Sequence, residues 1–161
     1  FREFFKPEKM KQETNFCHVI DDTLELVHAG IESKNITIVK EYDCTTNMVT
    51  YKNELIQVAM NLIKNAEDAL LENKIKDPTI NIKCYSDADK SVLEIGDNAG
   101  GIDAAAMEKI FDPYFTTKEE HNGTGLGLYM SKMIVEEHCK GTLSVHNSSE
   151  GAVFKIEIKH A

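Results

Sequence analysis

The chain has 161 residues, 42% hydrophobic and 28% charged, with a formal net charge of −9. That length suits one domain with a sizeable core, and the composition is ordinary for a soluble globular protein. The negative charge argues against non-specific binding to nucleic acid or membrane surfaces; no apolar run approaches the ~20 residues that span a bilayer, and no basic-then-apolar leader opens the sequence.

Val19, Ile20, Leu24, Val27 and Ile31 recur at helical spacing and predict a helix over residues 19–33. Ile36-Thr37-Ile38-Val39 is a short β-prone run. From Asn53 to about Asn73 the apolar positions Leu55, Val58, Ala59, Leu62, Ile63, Ala66, Ala69 and Leu70 mark the strongest helix. Residues 80–85 and 92–95 alternate and read as two strands joined by a turn over 86–90. Residues 97–124 hold glycines, polar residues and Pro113, with a short helix at 104–110; a weakly structured segment of that length is usually functional or disordered. A further helix is expected from Leu126 to His138, then strands at 142–145 and 153–158 around a turn at 147–151. Helices and paired strands without regular strand–helix alternation predict an α+β two-layer sandwich, a mixed and mostly antiparallel sheet with helices on one face.

Cys17, Cys44, Cys84 and Cys139 are scattered and form no C-x-x-C pair. They are expected to be reduced and mostly buried, as in a cytosolic protein.

Four blocks stand out: Asn61-Leu62-Ile63-Lys64-Asn65-Ala66, Asp97-Asn98-Ala99-Gly100-Gly101-Ile102, Phe111-Asp112-Pro113-Tyr114-Phe115-Thr116-Thr117-Lys118 and Gly123-Thr124-Gly125-Leu126-Gly127-Leu128. Asn61 and Asn65 lie four apart on one helix face that also points inward, so both amides need partners; backbone groups or a ligand could supply them. Asp97 follows a β run and precedes a glycine turn, a setting that suits a turn-capping carboxylate. Gly123, Gly125 and Gly127 precede a helix, where bare backbone amides either cradle an anion or simply turn the chain. Lys118 is either a surface lysine or a mobile point charge for a phosphate.

In this order the blocks resemble the N, G1, F and G2 boxes of the catalytic, ATP-binding domain of bacterial sensor histidine kinases. That domain belongs to the wider Bergerat-fold group of gyrase, heat-shock chaperone and MutL-type ATPases. The resemblance runs from residue 16 to the end; residues 1–15 look like a connector from a dimerisation and phosphoacceptor helical domain, so the chain is expected to be part of a longer protein. The resemblance implies ATP and Mg2+ as ligands, with Asn65 as the metal ligand. It implies nucleotide contacts at Asn61, Gly101, Ile102, Thr124, Leu126, Leu128 and the three glycines, and at Asp97 for the adenine amine. Lys118 is implied to act on the γ-phosphate, and residues 99–124 to form a lid. In the hydrolytic relatives a Glu stands where this chain has Asn61. A carboxylate can act as a general base and an amide cannot. Three positions depart from the pattern: Ala99 replaces the first glycine of D-x-G-x-G, Asp68 replaces a basic residue, and Ala152 replaces a Thr that bonds adenine in related ATPases.

None of the six histidines is followed by Asp or Glu or has a Pro five residues on, so the phosphoacceptor is expected outside this chain. The implied function is transfer of the ATP γ-phosphoryl group to a His on a separate helical domain, with a response regulator as indirect partner. No nucleic-acid partner is implied. The full protein is expected to be a homodimer and this part cytoplasmic, whether or not the parent is a membrane-bound sensor. A hydrolytic ATPase and a non-catalytic nucleotide-binding module are the alternatives.

Overall fold

The structure, a computed structural model, describes residues 10–44, 46–115 and 127–160. A five-stranded sheet has the order β2 (Thr37–Asp43), β4 (Thr79–Asp87), β5 (Lys90–Asp97), β7 (Ala152–Lys159), β6 (Thr142–Asn147). Only β2 and β4 run parallel; the other pairs are antiparallel. The expected strands are all present, each longer than its apolar run because pairing extends into the polar flanks.

Alternation decides the faces. Ile80, Ile82 and Cys84 of β4 and Phe154, Ile156 and Ile158 of β7 are buried, and register aligns Ile82 with Ile95 and Ile95 with Phe154 in one apolar layer. Helices α1 (Phe16–Ser33) and α2 (Lys52–Glu72) cover that layer, each with an apolar stripe in the same core. The opposite face is polar: Lys155 Nζ lies 3.0 Å and Lys90 Nζ 3.3 Å from Glu157 carboxylate oxygens. The architecture is thus the expected two-layer α+β sandwich. No helix among the described residues is long and apolar enough to cross a membrane.

Two features escape the sequence pattern. A two-stranded antiparallel sheet, β1 (Gln12–Thr14) with β3 (Met48–Thr50), lies apart from the main sheet; three residues each are too few for a period to show. The helix expected over 126–138 is α4 (Gly127–Met133) followed by a π-helical turn, Ile134–His138, with Cys139 N donating to Ile134 O at 3.0 Å. His138 Nδ1 lies 2.6 Å from Glu54 Oε1, which ties that turn to the first turn of α2. The short helix α3 (Ala104–Lys109) forms as expected, capped by Asp103.

The cysteine expectation is corrected in part. Cys17 in the first turn of α1 and Cys44 just past β2 form a disulfide, with Cα atoms 6.3 Å apart, a normal span for the bond. The two lie 27 residues apart in sequence, so only the docking of α1 against the end of β2 brings them together. Cys84 and Cys139 are buried free thiols, as expected. Burial pushes the Cys84 thiol up to about 12, with a further push from the Asp21 charge.

Lys140, at positive φ, and Gly141 carry the chain from the π turn into β6. A Cβ on Gly141 would sit 2.8 Å from Ile158 Cγ1 and closer still to the Glu157 carbonyl oxygen. Because that second obstacle is backbone, Gly141→Ala is expected to destabilise the chain by about 1–3 kcal/mol, read as a lower midpoint in urea with an unchanged slope.

Candidate nucleotide-binding site

Helix α2 sets the length of the site. Asn61 and Asn73 lie about 18 Å apart along it at 1.5 Å per residue, and each meets a different loop. Asn61 Nδ2 donates to Gly127 O and to Ser131 Oγ, both at 3.3 Å, and so braces the first turn of α4. Asn73, just past the C-terminus of α2, donates to Ala99 O at 3.1 Å. Between them Asn65 is half-buried, one turn beyond Asn61 on the same face.

Asp97 closes β5 and is 8% exposed. Its Oδ1 accepts from Ala99 N at 3.0 Å and from Ala152 N at 3.4 Å. No described residue donates to Oδ2, which leaves an acceptor for a ligand. Burial pushes the carboxyl above its ordinary range, and the two backbone N–H groups hold it partly down. A Cβ on Gly151 would lie 2.5 Å from Asp97 Oδ1 and closer to its backbone oxygen. The start of β7 can approach Asp97 only because position 151 has no side chain.

Ala99 does not carry the conformational strain of the turn. The left-handed residues are Gly100 and Gly101, with φ of 95° and 90°, while Ala99 is buried. Gly100 N donates to Glu150 O at 3.0 Å. Asn147 reads Ile102 as a strand partner would: its Oδ1 accepts from Ile102 N at 2.9 Å and its Nδ2 donates to Ile102 O at 2.8 Å. A Cβ on Gly101 would meet that same Oδ1 at 2.9 Å. Ala152 contributes its backbone N–H to Asp97, and its short side chain is buried.

Of the residues singled out in the sequence, Asn61 meets Gly127, Asp97 caps the loop that carries Gly101 and Ile102, and Asn65 and Leu128 are half-buried. Lys118, Gly123, Thr124, Gly125 and Leu126 lie outside the described residues. Of the aromatic block, Phe111 packs edge-to-face on Phe154, with ring centroids 6.3 Å apart. Tyr114 does not pack; it is 73% exposed at positive φ. Two other lysines are engaged rather than free. Lys64 Nζ lies 3.3 Å from Asp68. Lys132 donates to Leu143 O, pairs with Glu136 and stacks over Phe111 at 4.6 Å.

Asn73, Asn147 and Gly151 were not singled out from the sequence as site residues. The signal was thin: an Asn ending a helix, and an Asn and a Gly bounding what reads as an ordinary turn.

The pattern of the histidine kinase-, DNA gyrase B- and HSP90-like ATPases matches residues 50–161. The signal transduction histidine-protein kinase AtoS of Escherichia coli is 36% identical over 159 residues, 96% of this chain and 25% of AtoS. The catalytic domain of histidine kinase ThkA superposes with a TM-score of 0.81 at 29% identity, covering 93% of this chain and 95% of that one. A second ThkA structure, in complex with response regulator protein TrrA, gives 0.79 at 26% identity over 94% of this chain and 42% of that one. The chain spans a quarter of AtoS and 12% of the two-component sensor PprA of Pseudomonas aeruginosa, which is 38% identical over 66% of this chain. With the asparagine-bearing helix, the buried Asp97 and the paired glycines all in place, the chain belongs to the histidine kinase-, DNA gyrase B- and HSP90-like ATPase family, and its fold is that of a histidine kinase catalytic domain.

Proposed function

We propose that this chain is the catalytic part of a two-component sensor histidine kinase, which binds ATP and passes its γ-phosphoryl group to a His on a separate helical domain. The observation that carries this reading is Asn61. Its amide nitrogen is spent on Gly127 O and Ser131 Oγ, and an amide has no basicity with which to activate water. The site can hold a nucleotide without a base for hydrolysis, so a nucleophile from elsewhere fits better. Phosphoryl transfer depends chiefly on positioning and charge stabilisation, and a separate acceptor domain supplies the positioned group.

The roles divide along α2. Asp97, with Oδ1 held by backbone, offers Oδ2 to the adenine amine. Gly101 and Ile102, fixed by Asn147, form the wall beside the base. At the other end Asn65 presents an amide oxygen, a hard donor that suits Mg2+ when the nucleotide's phosphates and water complete the shell; the cation would neutralise developing phosphate charge. Gly123, Thr124, Gly125 and Leu126 precede α4 in the chain and Gly127 and Leu128 open it; amides at such a helix start favour an anion. Lys118 would place its ammonium on the γ-phosphate. Residues 99–124 would close as a lid, hinged where Asn147 and Asn73 tie its first residues to the sheet and to α2. The ThkA complex with TrrA supports a response regulator as the downstream partner, and residues 1–15 would join the chain to helices of a dimeric, cytoplasmic kinase core.

Two outcomes are expected. ATP should bind more tightly than GTP, because guanine presents a carbonyl oxygen where adenine presents its amine; leaving that group unpaired costs about 1–3 kcal/mol. Asp97→Ala should erase the preference in calorimetry, and equal affinity of the unaltered chain for both nucleotides would refute the role given to Asp97. The isolated chain should bind ATP without labelling itself and release phosphate only slowly. Supplying the kinase's helical domain as a second chain should restore labelling of its His, and Asn65→Ala should abolish it. Rapid phosphate release by the isolated chain, lost in Asn61→Ala, would favour the hydrolytic ATPase instead.

A further inference from the structure

Away from the nucleotide site, Cys17, Cys44 and Cys84 place three sulphur atoms within 4.8 Å of one another. Three elements build this cluster. Cys17 lies in the first turn of α1. Tyr42 of β2 pairs with Cys84 of β4, and Cys44 follows Tyr42 by two residues, so the strand period turns Cys44 and Cys84 to the same side. Asp21, four residues after Cys17 and on the same helix face, accepts the Tyr42 hydroxyl at 2.9 Å. A disulfide uses two sulphurs; here a third, fully buried thiol stands beside it. Among the described residues no other group of three His, Cys, Asp or Glu comes as close together.

We propose that, once the Cys17–Cys44 disulfide is reduced, Cys17, Cys44 and Cys84 bind one thiophilic d10 cation of the Zn2+ or Cd2+ kind. Thiolates select soft cations over Mg2+ or Ca2+. Sulphurs that share one Zn2+ at about 2.3 Å lie roughly 3.8 Å apart in a tetrahedron, a spacing the cluster can meet with small side-chain shifts. Three thiolates and one divalent cation leave a single negative charge, and the N-terminal turn of an 18-residue helix favours it. Cys17 and Cys44 are half-buried, so water can supply a fourth ligand. Reduction breaks the S–S bond and leaves two thiols: a phosphine supplies the two electrons, and water supplies the two protons and the oxygen of the phosphine oxide. Binding then exchanges three S–H bonds for three S–metal bonds and releases three protons. Disulfide and metal exclude each other, so the site reports redox state through metal occupancy.

The test uses the whole chain, reduced with a phosphine, freed of reductant under argon and titrated with Cd2+. One equivalent is expected to produce the ultraviolet thiolate-to-cadmium charge-transfer band. The same ion should protect Cys17, Cys44 and Cys84, and not Cys139, from alkylation mapped by mass spectrometry. Cys84→Ala should weaken Cd2+ at least tenfold while Cys139→Ala leaves it unchanged, and the oxidised chain should show no band. If Cys84→Ala does not fold, the alkylation map of the unaltered chain decides alone. Absence of the band, protection of only two thiols, or unchanged affinity in Cys84→Ala would overturn the proposal and leave Cys84 as a small packing residue.

Discussion

A buried carboxylate, Asp97, governs the packing at one end of the sheet. Taking Asp97 out of water penalises its charged form, and a buried acceptor without donors costs several kcal/mol. The chain meets that demand with backbone: Ala99 N from the loop after β5 and Ala152 N from the first residue of β7. The surrounding geometry follows from serving one oxygen. Residue 151 must be glycine for β7 to come this near. The loop must turn back at Gly100 and Gly101, both left-handed, and Asn147 must stand in for a strand to hold Ile102. Since β5 lies between β4 and β7, the whole sheet braces this one side chain.

Much of this was legible in the residues. The α2 helix, the two strand pairs and the inward asparagines follow from long apolar periods, and a long period is what sequence shows best. The candidate site is legible where a residue type stands in an unusual setting, as with Asp97 before paired glycines. It was illegible where the job is done by a common residue in a common setting. Asn147 looks like the end of a strand, and Asn73 like the end of a helix. The Cys17–Cys44 bond depends on how α1 docks against β2, which no local pattern encodes. Residue type alone does not separate the aromatics of one block: Phe111 packs on Phe154, while Tyr114, at positive φ, is exposed.

A chain of net charge −9 is a poor host for a polyanion unless the local field is reversed. At the Asn61 end of α2 the described lysines do little to reverse it. Lys64 is paired with Asp68 four residues on, and Lys132 is held by Glu136, a carbonyl and an aromatic face. A phosphate would have to break those contacts to recruit either. Neutral donors escape that competition: amides at a helix start carry partial positive charge without a mobile side chain for a carboxylate to capture. This is why Asn61 matters for more than its lack of basicity. By gripping Gly127 O and Ser131 Oγ it fixes the start of α4 against α2, and so fixes where those amides point. A Glu at this position could take a proton from water, but as an acceptor-only carboxylate it could not donate to the Gly127 carbonyl. The same residue that lacks basicity thus holds the helix start in place, so the two properties of this amide cannot be exchanged for those of a Glu one at a time.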